Sequence, residues 1–199
     1  MSKIHRFSTS IFIGLLLLFS GCEEKAFNFV LNIDNAYEFA VFDDGVFSVG
    51  ETIDKDELLE DIEIESDAEI EAVNIESIAV KITELDGNAA NSVQMDGLLY
   101  LDGDLSSSPI VVFNDLVIDE NTASEFIAIT TLNAAGVNAL ADKFLAYVEN
   151  TDSEEFIFNV SGSSIPEDSR IEANVELKIR ATVKFKENLE VPFFVGDDE

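Results

Sequence analysis

Tryptophan is absent from this chain of 199 residues, and cysteine and histidine occur once each, at Cys22 and His5. Proline occurs three times, and lysine plus arginine only 11 times against 41 aspartates and glutamates, a formal balance of −30. Each scarcity removes a class of chemistry. One cysteine forms no internal disulfide and no thiolate cluster, and one histidine builds none of the multi-histidine zinc, copper or iron sites. No GxGxxG stretch and no Gly-x4-Gly-Lys-Ser/Thr loop is present to cradle phosphates. A surface this acidic repels the phosphate backbone that dominates nucleic-acid affinity, so nucleic acid is not an expected partner. A carboxylate pair for glycoside hydrolysis is formally available. However, 41 acidic residues make close pairs at nearly every spacing, and the chain offers no Trp and only Tyr37, Tyr100 and Tyr147 among the sugar-stacking aromatics that can also hydrogen-bond.

What is present begins with a leader. Lys3 and Arg6 precede the nine-residue apolar run IFIGLLLLF at 11–19, which is too short to span a bilayer as a helix. The run ends in LFSGC at 18–22. This resembles the lipobox of bacterial lipoproteins, with Ser20, Gly21 and Cys22 in the matching places and Phe19 where the family prefers leucine. The resemblance implies that residues 1–21 are removed as a signal peptide and that Cys22 is the lipidation site, linked to acyl chains and anchored in a membrane. It also implies a place in the bacterial cell envelope, as an outer membrane lipoprotein. Residues 22–25 are then expected as a short tether and 26–199 as a single β-sandwich domain. Removal of the leader takes His5, Lys3 and Arg6 with it, leaving nine basic residues against the 41 acidic ones. Without histidine or a free thiol, neither a Ser-His-Asp triad nor a Cys-His pair can form, and no serine sits in a nucleophile elbow. The chain is therefore read as not an enzyme.

Apolar residues make up 47% of the chain, enough for a packed core in spite of the charge. Period-2 alternation predicts strands at 26–34, 37–42 and 46–50, around Ile78, Val80 and Ile82, and over 93–104, 110–118, 125–132 and 154–162. A last short edge strand is expected at 191–196. Pro109 is placed at a strand opening, and Asp86-Gly87-Asn88 and Pro166 to Asp168 are placed in turns. Two helices interrupt the pattern. Asp54 and Glu57 have capping-box spacing for a short helix near 54–61, and Asn133 caps an apolar stripe of Val137, Leu140, Phe144 and Val148 in a helix at about 133–149. The expected fold is all-β, an antiparallel two-sheet sandwich of the Ig-like or Greek-key type, with the second helix in a crossover connection.

The longest alternating segment is RIEANVELKIRATVKFKE at 170–187. Ile171 to Phe185 alone would reach roughly 50 Å at about 3.3 Å per residue, so the strand is expected to bend at a bulge and change sheet, or to rim a curved half-barrel. Its polar face holds Arg170, Lys178, Arg180, Lys184 and Lys186, five of the nine basic residues beyond the leader. The favoured reading is cross-strand pairing with acidic neighbours, with the EIEA stretch at 69–72 among the candidates; the alternative is contact with lipid phosphates.

Calcium is the one cofactor left open, because it needs only oxygen ligands. The candidates are Asp43 and Asp44 with Gly45, Asp102 and Asp104 with Gly103, and the terminal Gly196 to Glu199. None completes an EF-hand spacing, and turn formation explains them better. The expected function is that of a lipid-anchored, non-enzymatic envelope protein that presents its sandwich to a protein or glycan partner. The alternative is a carrier holding a hydrophobic ligand, lipid or lipoprotein, in a curved half-barrel. A filled interior favours the first and an apolar cavity of several hundred Å³ the second.

Overall fold

The computed structural model describes residues 22–59, 64, 68–119 and 125–192. Along the chain run β1 (Cys22–Asp44), β2 (Val46–Ile53), the one-turn α1 (Lys55–Leu58), β3 (Glu69–Glu84), β4 (Ser92–Tyr100) and β5 (Ile110–Asp119). After them come β6 (Ile127–Ala128), α2 (Ala134–Val148), β7 (Phe156–Ile165) and β8 (Arg170–Pro192). Binary patterning explains the strands. Every odd residue of β8 from Ile171 to Phe185 is buried, and Ile33, Tyr37, Phe39 and Val41 of β1 are buried beside them.

Two four-stranded antiparallel sheets form, in the orders β1-β8-β3-β6 and β2-β7-β4-β5. The first strand pairs with the eighth, the second with the seventh, the third with the sixth and the fourth with the fifth. That is a long hairpin rolled on itself, the jelly roll, built of two Greek keys. The sandwich is the one expected, and within the Greek-key class its strand order is the jelly roll's rather than the Ig-like one.

The inner faces meet over Phe47, Met95, Leu99, Phe113, Phe158 and Val160 from the second sheet, with the rings of Phe113 and Phe158 6.5 Å apart. Helix α2 lies in the crossover from β6 to β7. Asn133 caps it by accepting from the Ala135 N–H at 2.9 Å, and Leu140, Phe144 and Tyr147 face the core. Phe144 and Tyr147 stack at a tilt on Phe156 at 6.3 and 6.1 Å, and the Tyr147 hydroxyl donates to the Glu154 carbonyl at 2.6 Å. In α1 the Asp54 carboxylate accepts from the Glu57 N–H at 2.7 Å, while Leu58 is buried; residues 60 and 61 of the expected helix lie outside the described residues.

Four expectations change. The long strand neither bends into the other sheet nor rims a half-barrel. It runs from Arg170 to Pro192 within one sheet, paired to β1 through an unbroken register, while the two bulges sit on its other neighbour, β3. A bulge in β8 would have turned its apolar face outward, so the neighbour absorbs the twist instead. Second, the strands expected at 26–34 and 37–42 are one strand, and it begins at Cys22 rather than after a tether. Asn35, between the two expected segments, points inward, half-buried, and donates to the Tyr37 hydroxyl and the Leu58 carbonyl, each at 3.4 Å. Third, Val191 and Pro192 end β8 instead of forming their own edge strand, and the remainder of 191–196 lies outside the described residues. Finally, the strand expected at 125–132 is reduced to Ile127–Ala128 plus a bridge from Leu132 to Phe113.

Two glycines are required by the turns and packing. Gly45 joins β1 to β2 at φ 92°, a left-handed conformation, with its N–H donating to Ser169 and its carbonyl accepting from Ser164. Gly97 lies between two register shifts of the β4–β5 pair with the Phe113 ring over it, so a Cβ there would come within 2.2 Å of that ring. Because Phe113 is fully buried, the ring has no room to retreat. Gly97→Ala is expected to destabilise the fold by about 1–3 kcal/mol in urea unfolding, and Phe113→Leu on the same background to recover part of the loss. Unchanged stability in Gly97→Ala would refute the packing described.

Candidate functional site

Cys22 begins β1, opposite Pro192, at one extreme of the ribbon formed by β1 and β8. The ribbon's other end is Asp44 opposite Arg170, and its contour over 23 paired residues is roughly 75 Å at about 3.3 Å each. Three connections gather at that far end: the Gly45 turn, the loop 85–91 and the turn 166–169. Backbone bonds hold them together, from Gly45 to Ser169, Ala89 to Arg170 and Asn91 to Ile165. Cys22 and this loop cluster therefore occupy opposite ends of the molecule.

The outer face of the first sheet is a charge ladder. Lys178 and Arg180 both reach Asp34 on β1, at 2.9 and 3.1 Å, and Lys81 on β3 pairs with Glu176. Arg170 pairs with Glu172 and approaches Asp44 at 3.8 Å, and Lys186 pairs with Glu71, inside the EIEA stretch named from the sequence. Four of the five basic side chains of β8 are thus matched to acidic groups. Among the described residues no carboxylate pairs with Lys184, which stands opposite Val30 and Ala72 in the register. The lysine hydrogen bond, aided by both cations, holds the Asp34 carboxyl below its usual range. An unforeseen partner also meets this face: the ammonium groups of Lys81 and Lys178 each lie over the Phe126 ring, 5.6 Å from its centre.

The outer face of the second sheet differs in kind. Val46, Ser163, Gln94 and Val117 form one cross-strand row, followed by Ser48, Ser161 and Asp96. Val46 and Val117 are 70% and 54% exposed, and Ile165 is 40% exposed beside them. These rows carry hydroxyls, an amide, aliphatic groups and the Asp96 carboxylate, and no cation. Asp115, in the bulge of β5 at φ 54°, is fixed there by the Asp96 carboxylate, which accepts from its N–H, and by Gln94, which donates to its side chain, both at 2.8 Å. Period alone does not reveal this face, because its residues were sorted only as the polar sides of separate strands.

A third feature is an open cleft of about 450 Å³ beside α2, bordered by Asp102, Asp142, Lys143, Asp152 and Glu154. The Lys143 side chain is only 6% exposed; its ammonium meets Asp152 at 2.6 Å and lies 5.1 Å from the Tyr147 ring. That contact, with the Glu154 N–H, holds the Asp152 carboxyl below its usual range. Burial pushes the Tyr147 phenol upward and moves that of Tyr37 to about 12.

Of the calcium candidates, Asp102 and Asp104 are occupied in their own loop. They accept from the N–H groups of Asp104 and Ser106 and from the hydroxyls of Ser106 and Ser107, as turn carboxylates do. Asp44 faces Arg170 across the ribbon, and Gly196 to Glu199 lie outside the described residues. Among the described residues no three acidic, cysteine or histidine side chains are grouped to hold a metal ion, and no helix is long and apolar enough to cross a membrane.

No family model and no curated protein matches the sequence. Among solved structures the chain is similar to the decameric BFDV capsid protein, at 9% identity over 80% of this chain and 99% of that one, with a TM-score of 0.31. It is also similar to the structure of infectious bursal disease virus Gx strain, at 10% identity over 82% of this chain and 38% of that one, TM-score 0.30. A third is Desmodium yellow mottle tymovirus, at 6% identity over 89% and 87% of the two chains, TM-score 0.26.

The Lys143–Asp152 contact has a measurable pH signature. A carboxylate whose folded pKa is depressed adds stability above its unfolded value, near 4, and loses it as pH falls through the folded value. Asp152→Asn should therefore lower Tm at pH 7, and the gap to the wild type should close as the pH drops below about 4. A gap of constant size from pH 7 to pH 2 would contradict the pairing.

Proposed function

We propose that this chain is a lipid-anchored, non-enzymatic protein of a bacterial envelope, acylated at Cys22, whose jelly roll offers the outer face of its second sheet, rich in serine, glutamine and valine, to a protein or glycan partner. The observation that carries the reading is the LFSGC stretch combined with the position of Cys22, at the ribbon end remote from the loop cluster. A lipid there leaves the far loops and the second sheet's outer face turned to solvent. On a chain with a formal charge of −30, that face is rich in hydroxyl, amide and aliphatic groups, and its carboxylates Asp96 and Asp115 are engaged with neighbouring donors, which suits an uncharged partner.

The chemistry of the side chains agrees with binding rather than catalysis. Among the described residues the carboxylates whose ionisation is displaced, Asp34, Asp104 and Asp152, are displaced downward by cations or hydrogen-bond donors. A general acid requires the opposite displacement. The buried aromatic rings between the sheets also favour a filled sandwich over a ligand carrier, and the cleft beside α2 opens to the surface instead of lying between the sheets.

Labelling with a palmitate analogue in a bacterial host tests the anchor. The wild type should incorporate label and fractionate with membranes, and Cys22→Ser should do neither; equal labelling of both would overturn the reading. Mass spectrometry of purified Cys22→Ser protein should find no stoichiometric lipid. Its recovery at one per chain would establish the carrier instead.

A further inference from the structure

The four outermost strands of the two sheets are β1, β6, β2 and β5. An outer strand exposes unpaired N–H and C=O groups, and folded proteins shorten, bulge or charge such edges to prevent further pairing. β6 has two residues, β5 carries two register shifts, and β2 has eight residues interrupted by Gly50. β1 is neither short nor bulged, its charges lie on either side of residues 26–33, and among the described residues no strand pairs with its outer edge. It is 23 residues long, holds an unbroken register with β8, and contains neither proline nor glycine. Its segment Ala26–Ile33, AFNFVLNI, carries no charge at all in a chain where 26% of residues are charged. Along it Phe27 is 38% exposed and Val30 62%.

We infer that the open edge of β1 pairs with β1 of a second copy, antiparallel about a twofold axis at Val30, joining two four-stranded sheets into one of eight strands. The inference is independent of whether Cys22 carries a lipid. Because side chains alternate between faces, only registers that oppose residues of like parity keep both apolar faces on one side. Centred on Val30, the pairing opposes Phe29 to Leu31, Asn28 to Asn32, Phe27 to Ile33, Ala26 to Asp34 and Lys25 to Asn35. No two charged residues face each other. The nearest permitted slips do worse: two residues one way, Glu24 meets Asp34, and two the other way, Glu24 meets Glu38. Like charges directly opposite are destabilising, so the charge pattern disfavours both neighbouring registers. Asn28 and Asn32, both exposed, are placed to face each other's amides across the axis. Apposing two chains of this net charge is opposed at long range, so association should strengthen as salt screens it.

Sedimentation of the chain from residue 22 onward, with Cys22→Ser, provides the test. The expected mass is twice that of the chain, with the dimer fraction rising between low and moderate salt. Asn28→Glu/Asn32→Glu opposes like charges at both sides of the axis and should halve the mass, with the circular dichroism and Tm of a folded protein retained. Asn28→Lys/Asn32→Glu opposes unlike charges at the same two places and should keep the dimer. A monomer for the parent at every concentration and salt, a dimer indifferent to the paired glutamates, or failure of the lysine–glutamate combination to dimerise would each overturn the inference.

Discussion

Residues 22–44 and 170–192 pair one to one, and this single ribbon spans the molecule. β8 is also the inner strand against β3, so it is held on both edges, and its eight inward residues from Ile171 to Phe185 floor the core. Burying a side chain the size of Leu177 or Phe185 is worth roughly 1.5–3 kcal/mol, far more than an exposed ion pair of the outer ladder contributes. The apolar face therefore drives the pairing, and the charges on the opposite face refine it. A slip of one residue would expose the whole row and set Lys178 and Arg180 away from Asp34.

The ladder explains why a chain so poor in positive charge concentrates it in one strand. β8 is flanked by β1 and β3, both of which bring carboxylates to the outer face: Asp34 and Asp44 from one, Glu71 from the other. Cations placed between two acidic strands relieve repulsion on both sides at once, which the same cations dispersed over loops would not do. The second sheet needs no such relief, because its outer row is built mainly of serine, glutamine and valine. The two faces of the sandwich thus have different physical characters. One is charged and largely internally matched; the other is built mainly of hydroxyl, amide and aliphatic groups, with Asp96 and Asp115 held among them.

Much of this was legible in the sequence, and the failures have physical causes. Strict alternation located β8, the capping residues Asp54 and Asn133 located both helices, and the EIEA stretch supplied Glu71 as a neighbour of the cation row. Asn35 concealed the continuity of β1, because an inward amide reads as a break until its partners on Tyr37 and Leu58 are known. The bulges were assigned to the wrong strand because periodicity reports where an apolar face continues, not which neighbour bends to keep it so. β6 was overestimated from EFIAITTL, since Phe126 serves the two lysines outside the sheet rather than the ladder of strand pairs. As for the candidate site, Cys22 came from a local pattern. The uncharged outer row did not, because Val46, Gln94, Val117 and Ser163 are joined only by the rolled topology.

The account rests on the full-length union of the two terminal strands within one sheet. Amide hydrogen exchange followed residue by residue in the folded protein tests it directly. Protection close to that of global unfolding is predicted through Ile171 to Phe185, with measurable protection continuing through β1 at those alternate amides of residues 24–32 that point at β8. Exchange of residues 24–32 at the rate of an unstructured peptide, while β8 remained protected, would show a free tether in place of a strand and contradict the account.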